Sequence, residues 1–267
     1  MLILLLAVGA SAWSYAQGGE DWPETCKTGN EQSPIDIDTG DTSDLGSDYF
    51  MKVYYYGKTA SRTVANDGNV IYIEGDFGYI TVEDKDENER KFLTNKIEFH
   101  MPSEHFFDGY PSKMEMQIFH TIDDSDFTVD FPKKAVVSVM IRPGDPSYFM
   151  DSIEVSNLPT SNQNNTLPSD SNVNLLAIVD PDDKYFFYFG SMNKPDCEEN
   201  VLWYVFETEQ WVSFEQMKNF ENLLVLDSSD PDSTGNVRSI QSLNGRTVYY
   251  SSGLCLGLSV MFLILSI

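Results

Sequence analysis

The chain has 267 residues, 41% of them hydrophobic, which is enough for one large domain with a buried core. Its 42 acidic against 17 basic residues give a formal charge of −25. A surface that acidic repels nucleic acid and anionic lipid, which sets both aside as partners.

The first twelve residues, MLILLLAVGASA, are apolar and end in small residues with A-x-A at Ala10 to Ala12. They read as a secretory signal (residues 1–12, or to 16) cleaved near Ala12 or Ala16, the alternative being an uncleaved anchor. Trp13, Tyr15 and Trp22 precede the run CKTGNEQSPIDI, Cys26 to Ile37; by themselves such aromatics mean core packing. Lys52–Tyr56, Val70–Glu74 and Tyr79–Val82 alternate and are rich in Val, Ile and Tyr, which predicts strands. Asn66-Asp67-Gly68-Asn69 is a turn signal between them. The acidic clusters Glu83–Glu89, Asp123–Asp126 and Asp227–Asp232 are expected in solvated loops, none having the spacing of a known calcium loop.

Lys96 to His120, KIEFHMPSEHFFDGYPSKMEMQIFH, holds all three histidines, His100, His105 and His120. It predicts two strands joined by a polar turn. Alternate strand residues share a face, so Lys96, Glu98 and His100 line up, as do Glu115, Gln117 and Phe119. Paired, they make a polar wall between apolar alternates. A solvated sheet face is the plain alternative; a pocket is the sharper one.

Ala135–Ile141 (AVVSVMI) predicts a strand buried on both faces, and Leu175–Val179 and Tyr185–Phe189 read as further strands. The polar run Ser156–Asn172 is expected as an exposed loop carrying the sequon Asn164-Asn165-Thr166. Ser213–Leu224 is the best helix, with Ser213 as cap and Gln216 completing a capping box. The end, residues 251–267, is an apolar tail with nothing polar behind it. It suits a lipid-anchor signal attached near Ser251, Ser252, Gly253 or Asn244, or else a retained membrane anchor with Tyr249 and Tyr250 at the interface. Cys255 lies in this tail, which leaves Cys26 and Cys197 as one disulfide in an exported chain.

The central stretch resembles the α-class carbonic anhydrases, whose pattern is roughly Q-x-H-x-H-x-P-S-E-H followed by E-x-H-x-x-H. Pro102-Ser103-Glu104-His105 and Glu115 to His120 match in order and spacing. Gln32 to Ile37, Gly190 to Phe206 (GSMNKPDCEENVLWYVF) and Asn236 to Tyr250 extend the resemblance over residues 13–250. It implies a mainly β fold: a single domain with a large twisted, mostly antiparallel sheet and short peripheral helices. It also implies that the three zinc-ligand positions fall on Glu98, His100 and Gln117, only one of them histidine. The histidine-orienting glutamine falls on Lys96, the proton-shuttling histidine on Asn69 and the gatekeeping threonine, which works with Glu104, on Asn193. Its neighbour falls on Lys194.

A catalytic zinc on three neutral imidazoles ionises its water near neutral pH. A carboxylate ligand cancels one charge, and a glutamine carbonyl is a weak zinc ligand. The expected arrangement is therefore a Lys96–Glu98 ion pair in place of imidazole and metal, with His100, Gln117 and Glu115 hydrogen-bonding to it. Phe119 stands where the family has a small aliphatic residue and, with Val136, Met192 and Trp203, is expected to fill the carbon dioxide pocket. His100 reads as a hydrogen-bonded pocket histidine ahead of a metal ligand; His105 and His120 are expected to bond to the backbone. The reading is an exported, membrane-attached, non-catalytic relative without a cofactor, attached through its tail and working with protein partners in a binding or assembly role. The alternative is an active hydratase with a Glu/His/Gln zinc site.

Overall fold

Strands dominate because the chain repeats a two-residue period of buried and exposed positions, with β-branched and aromatic residues on the buried side. The structure is a computed structural model that describes residues 13–57, 59, 63–123, 125, 128, 130–224 and 235–251. The expected signal and all of the tail beyond Ser251 lie outside the described residues, as does the acidic cluster Asp227–Asp232. Among the described residues no helix is long and apolar enough to cross a membrane.

A 13-stranded sheet organises the fold, with a separate three-stranded sheet beside it. Its centre is the antiparallel pair Glu89–His100 and Met114–Ile122, followed by Lys134–Pro143. Thr63–Asn66 and Ile71–Glu74 extend it on one side. On the other, Glu199–Phe206 pairs in parallel with Lys134–Pro143 and antiparallel with Tyr185–Ser191. The sheet is thus mostly antiparallel with parallel joints. Its two faces part cleanly. Ile97, Phe99, Met116, Ile118, Val137 and Val139 belong to the larger core cluster. Phe119, Val136, Met140, Trp203 and Val205 form a smaller cluster on the opposite face with Ile35 and Ile37.

The expected strands are present at Met51–Tyr55, Ile71–Glu74, Gly78–Glu83 and Tyr185–Ser191, and Ala135 to Ile141 is buried throughout. The helix spans Phe214–Leu224, and its capping box is complete: Ser213 Oγ accepts from the Gln216 amide at 3.1 Å, and Gln216 Oε1 from the Ser213 amide at 3.0 Å.

Four expectations need correction. Leu175–Ala177 is a 3-10 turn, not a strand, because Asn174 Oδ1 accepts from the Leu176 amide and starts the turn. The sequon lies on a short edge strand, Gln163–Thr166, paired with Thr63–Asn66 rather than in a loop, although Asn164 remains exposed. The turn after His100 contains a small hairpin, Phe106–Phe107 with Tyr110–Pro111. Ser251, expected to open the tail, is buried and ends the sheet strand Tyr249–Ser251 paired with Tyr185–Phe187, so Tyr249 and Tyr250 lie in the sheet and not at the membrane interface of the retained-anchor alternative.

The disulfide joins Cys26 to Cys197, 171 residues apart, with an S–S distance of 2.06 Å. It ties the N-terminal segment to the loop after Ser191. Closing a loop of that length typically contributes about 2–5 kcal/mol in a secreted domain.

Candidate functional site

The strand register stacks the predicted wall into rows across the smaller-cluster face. His100 faces Glu115, which faces Met140. Glu98 faces Gln117, then Ser138, then Val205. Lys96 faces Phe119, then Val136, then Trp203. The polar rows are not solvated: Glu98, His100, Glu104, Glu115, Gln117, Ser138 and Asn193 are all buried.

Glu98 carries the expected ion pair and a second one. Lys96 Nζ lies 2.8 Å from its Oε1, and Lys194 Nζ reaches the same oxygen at 2.5 Å. Burial would raise the Glu98 pKa, but the two ammonium groups hold it down at about 2. The ammonium groups sit at the rim, the side chains of Lys96 and Lys194 being 24% and 21% exposed. Lys96 also lies over the Tyr72 ring at 3.8 Å, and Lys194 over the Phe119 ring at 4.9 Å.

Glu115 is the hub of the floor. Its Oε2 accepts from the amides of Glu104 and His105 at 2.7 and 2.9 Å. Its Oε1 accepts from Ser138 Oγ at 2.8 Å and Gln117 Nε2 at 2.9 Å, and lies 2.9 Å from His105 Nδ1. Burial opposes ionisation, yet His105 and these donors bring its pKa to about 2. Glu104 accepts from Gln117 Nε2, Asn193 Nδ2 and the Arg238 amide, and burial lifts its pKa. Asn193 Nδ2 also donates to Gln117 Oε1 at 2.8 Å.

The C-terminal segment closes the site. The Asn236 backbone carbonyl accepts from His100 Nδ1 at 2.8 Å, while its side chain accepts from the Met101 amide and donates to the Phe99 carbonyl. A carbonyl only accepts, so His100 carries a proton on Nδ1. Gly235, with φ +72°, allows this approach; a Cβ there would lie 1.9 Å from the Met101 carbonyl oxygen. Arg238 reaches under the floor to the carbonyls of Ser33 and Cys26.

Several sequence expectations change here. None of the three expected groups bonds to the Lys96–Glu98 pair: the Gln117 carbonyl turns to Asn193 and its amide to Glu104 and Glu115, His100 Nδ1 turns to Asn236 with Nε2 3.9 Å from Glu98, and Glu115 is taken up by its own five donors. His105 bonds through its ring to Glu115 and Tyr188 Oη rather than to the backbone. His120 does meet the Ala135 carbonyl, and also Tyr55 Oη at 3.0 Å. Asn69 donates to the Trp13 carbonyl, holding the N-terminal aromatic segment. Phe119, Val136 and Trp203 pack together with Met192 against them. Arg238, Asn236 and Ser138 join the site without any local sequence signal, and Lys194, beside the gatekeeper position, is brought onto Glu98.

The family of this fold implies zinc, and the residues do not fit it. Glu98 Oε1 is covered by two ammonium groups, and Gln117 is bonded at both ends within the protein. Of the three ligand positions, Glu98 Oε2 and His100 Nε2, 3.9 Å apart, are buried without a hydrogen-bond partner; Asn193 Oδ1 and Tyr15 Oη nearby are likewise unpartnered. Among the described residues no group of three His, Cys, Asp or Glu is placed to hold a metal. Two donors beside two cations are a poor zinc site.

Residues 10–252 match the eukaryotic-type carbonic anhydrase family. The chain belongs to that family. It is 30% identical over 239 residues to carbonic anhydrase Nec1 of Nesocodon mauritianus, covering 86% of this chain and 80% of that protein. Dioscorin dioA3 of Dioscorea japonica is 27% identical over 256 residues, covering 89% and 85%. The fold matches that of α-carbonic anhydrase from Thermovibrio ammonificans, solved with sulfanilamide, at a TM-score of 0.73 and 24% identity over 90% of this chain and all of that one.

Proposed function

We propose that this is a non-catalytic member of the carbonic anhydrase family, exported and membrane-attached, with a binding or assembly role. The observation that carries the reading is the convergence of Lys96 and Lys194 on Glu98, at the position where the family holds its first zinc ligand. Two fixed ammonium groups supply the positive charge there, and a third cation would be repelled. Asn69 cannot shuttle protons near neutral pH. Asn193 is buried against Glu104, and Phe119 fills the apolar pocket beside Trp203. A working Glu/His/Gln hydratase would require both lysines to leave Glu98.

Protein dialysed without chelator should carry far less than one zinc per chain and should hydrate carbon dioxide no faster than buffer. Elemental analysis with stopped-flow hydration checks both. Near-stoichiometric zinc would overturn the reading.

Export is supported by the disulfide and by the apolar start of the chain. Cleavage after Ala12 fits better than after Ala16, because Tyr15 is buried and its ring meets Trp22 edge-on at 5.5 Å. Asn164, exposed on its edge strand, would carry the glycan. Attachment would use the apolar residues beyond Ser251, with protein partners at the cell surface. Phospholipase should release the mature protein from membranes if the tail is a lipid-anchor signal. Recovery of a Leu254–Ile267 peptide would instead identify a retained anchor. Soluble mature protein with neither tail nor lipid would contradict attachment altogether.

A further inference from the structure

The rim beside Phe119 is chemically unlike the rest of the surface. A cavity of about 190 Å³ opens there, lined by Lys96, Lys134, Lys194, Phe119 and Met192 among others, with no carboxylate in its lining. Four other surface cavities each carry at least one Asp or Glu. In a chain with 42 acidic and 17 basic residues, three lysines around one small cavity run against the composition. We propose that this pocket binds a small monocarboxylate with a flat or apolar body.

The charge balance favours an anion. Lys96 and Lys194 share the single oxygen Glu98 Oε1, so two positive charges face one negative. Lys134 is paired with Glu198, whose side chain is 61% exposed. A pair that open to solvent is worth about 0–1 kcal/mol, so Lys134 can turn to a guest at little cost. Each ammonium group has three N–H donors, and a carboxylate offers two oxygens to receive them.

The opposite wall sets the rest of the ligand. Phe119 is 8% exposed and presents a ring, with half-buried Met192 beside it. Drug-sized ligands occupy about 300–1,000 Å³, so this cavity admits a single ring or short chain. The overall charge of −25 repels anions at a distance. At physiological ionic strength that repulsion is screened beyond about 8 Å, and the local lysines decide binding.

The assignment rests on the non-catalytic reading in one respect: Lys96 and Lys194 stay on Glu98. The test is calorimetric titration of the full-length protein with benzoate at about 0.15 M ionic strength, on a batch whose zinc content has been measured. Benzoate should bind saturably and benzyl alcohol should not. Lys134→Gln should weaken benzoate binding by about threefold, the share of one partly exposed charge. Glu98→Gln should tighten it by about tenfold, because it removes the carboxylate that competes for two ammonium groups. Absence of saturation up to about 20 mM, weaker than any useful small-ligand affinity, would overturn the pocket. So would equal binding of benzyl alcohol, or a failure of the two variants to shift affinity in opposite directions. Stoichiometric zinc in the batch would overturn the non-catalytic reading; zinc-free protein that ignores benzoate would overturn the pocket alone.

Discussion

Glu115→Ala should lower unfolding stability by about 3–5 kcal/mol, the range for uncovering buried partners of a lost charge. Five donors converge on that carboxylate: the amides of Glu104 and His105, the His105 ring, Gln117 and Ser138. All of them are buried and none can turn to water. For a domain this size the thermal midpoint should fall by about 10 °C. Glu98→Ala should cost less than half as much, although Glu98 is equally buried. Its partners Lys96 and Lys194 sit at the rim and can extend their ammonium groups into solvent. Thermal and urea unfolding of both variants checks the contrast; equal losses would show that the Glu98 cluster, too, is part of the floor.

The same groups set a pH dependence. Glu98 and Glu115 have folded pKa values of about 2 against an ordinary 4.5, so their contribution is complete above 4.5 and is lost as pH falls toward 2. His120, buried neutral at about 3 against 6.5, acts in the same direction from 6.5 downward. Glu104, raised by burial, acts in the opposite direction just above 4.5. The net expectation is a fall of several kcal/mol between pH 5 and pH 3, with His120 and Glu115 each contributing on the order of 2 and Glu98 less. Urea midpoints that stay level across that interval would contradict it.

Much of the site was legible because the information was local. The two-residue period alone places Lys96, Glu98 and His100 on one face, and Glu115, Gln117 and Phe119 on another, and the register joins them. The Lys96–Glu98 pair follows from the same period. What was not legible arrives from far along the chain. Lys194 reaches Glu98 across 96 residues from a loop pinned by Cys197, whose φ is +57°, and no periodicity reports where such a loop points. The partners of Gln117 depend on Asn193 and Glu104, which come from two other segments, so its sequence-based pairing with Glu98 had no local check. Leu175–Val179 misled for the converse reason: a short apolar run fits a buried turn as well as a strand.

Restoring the zinc ligands alone should give a metal site but a slow enzyme. Glu98→His and Gln117→His rebuild three imidazoles around His100, and Lys96→Gln removes one opposing charge. Lys194→Thr joins them to remove the second ammonium group that can reach this position and repel a metal ion. This fourfold variant should bind about one zinc per chain, with a water that ionises nearer neutral pH. Carbon dioxide would still meet the Phe119 ring, packed against Val136 and Trp203. Asn193, bonded to Glu104 through its amide nitrogen, presents no hydroxyl to orient the attacking oxygen. A misplacement of about 1 Å can cost about a hundredfold in rate. Adding Phe119→Val and Asn193→Thr should therefore raise hydration by one to two orders of magnitude, on the order expected from such misplacement. The comparison needs hydration rates of both variants at matched zinc occupancy. If the fourfold variant is already as fast as the sixfold one, pocket and gatekeeper contribute nothing, and the missing imidazoles with the two lysines account for the whole of the proposed inactivity.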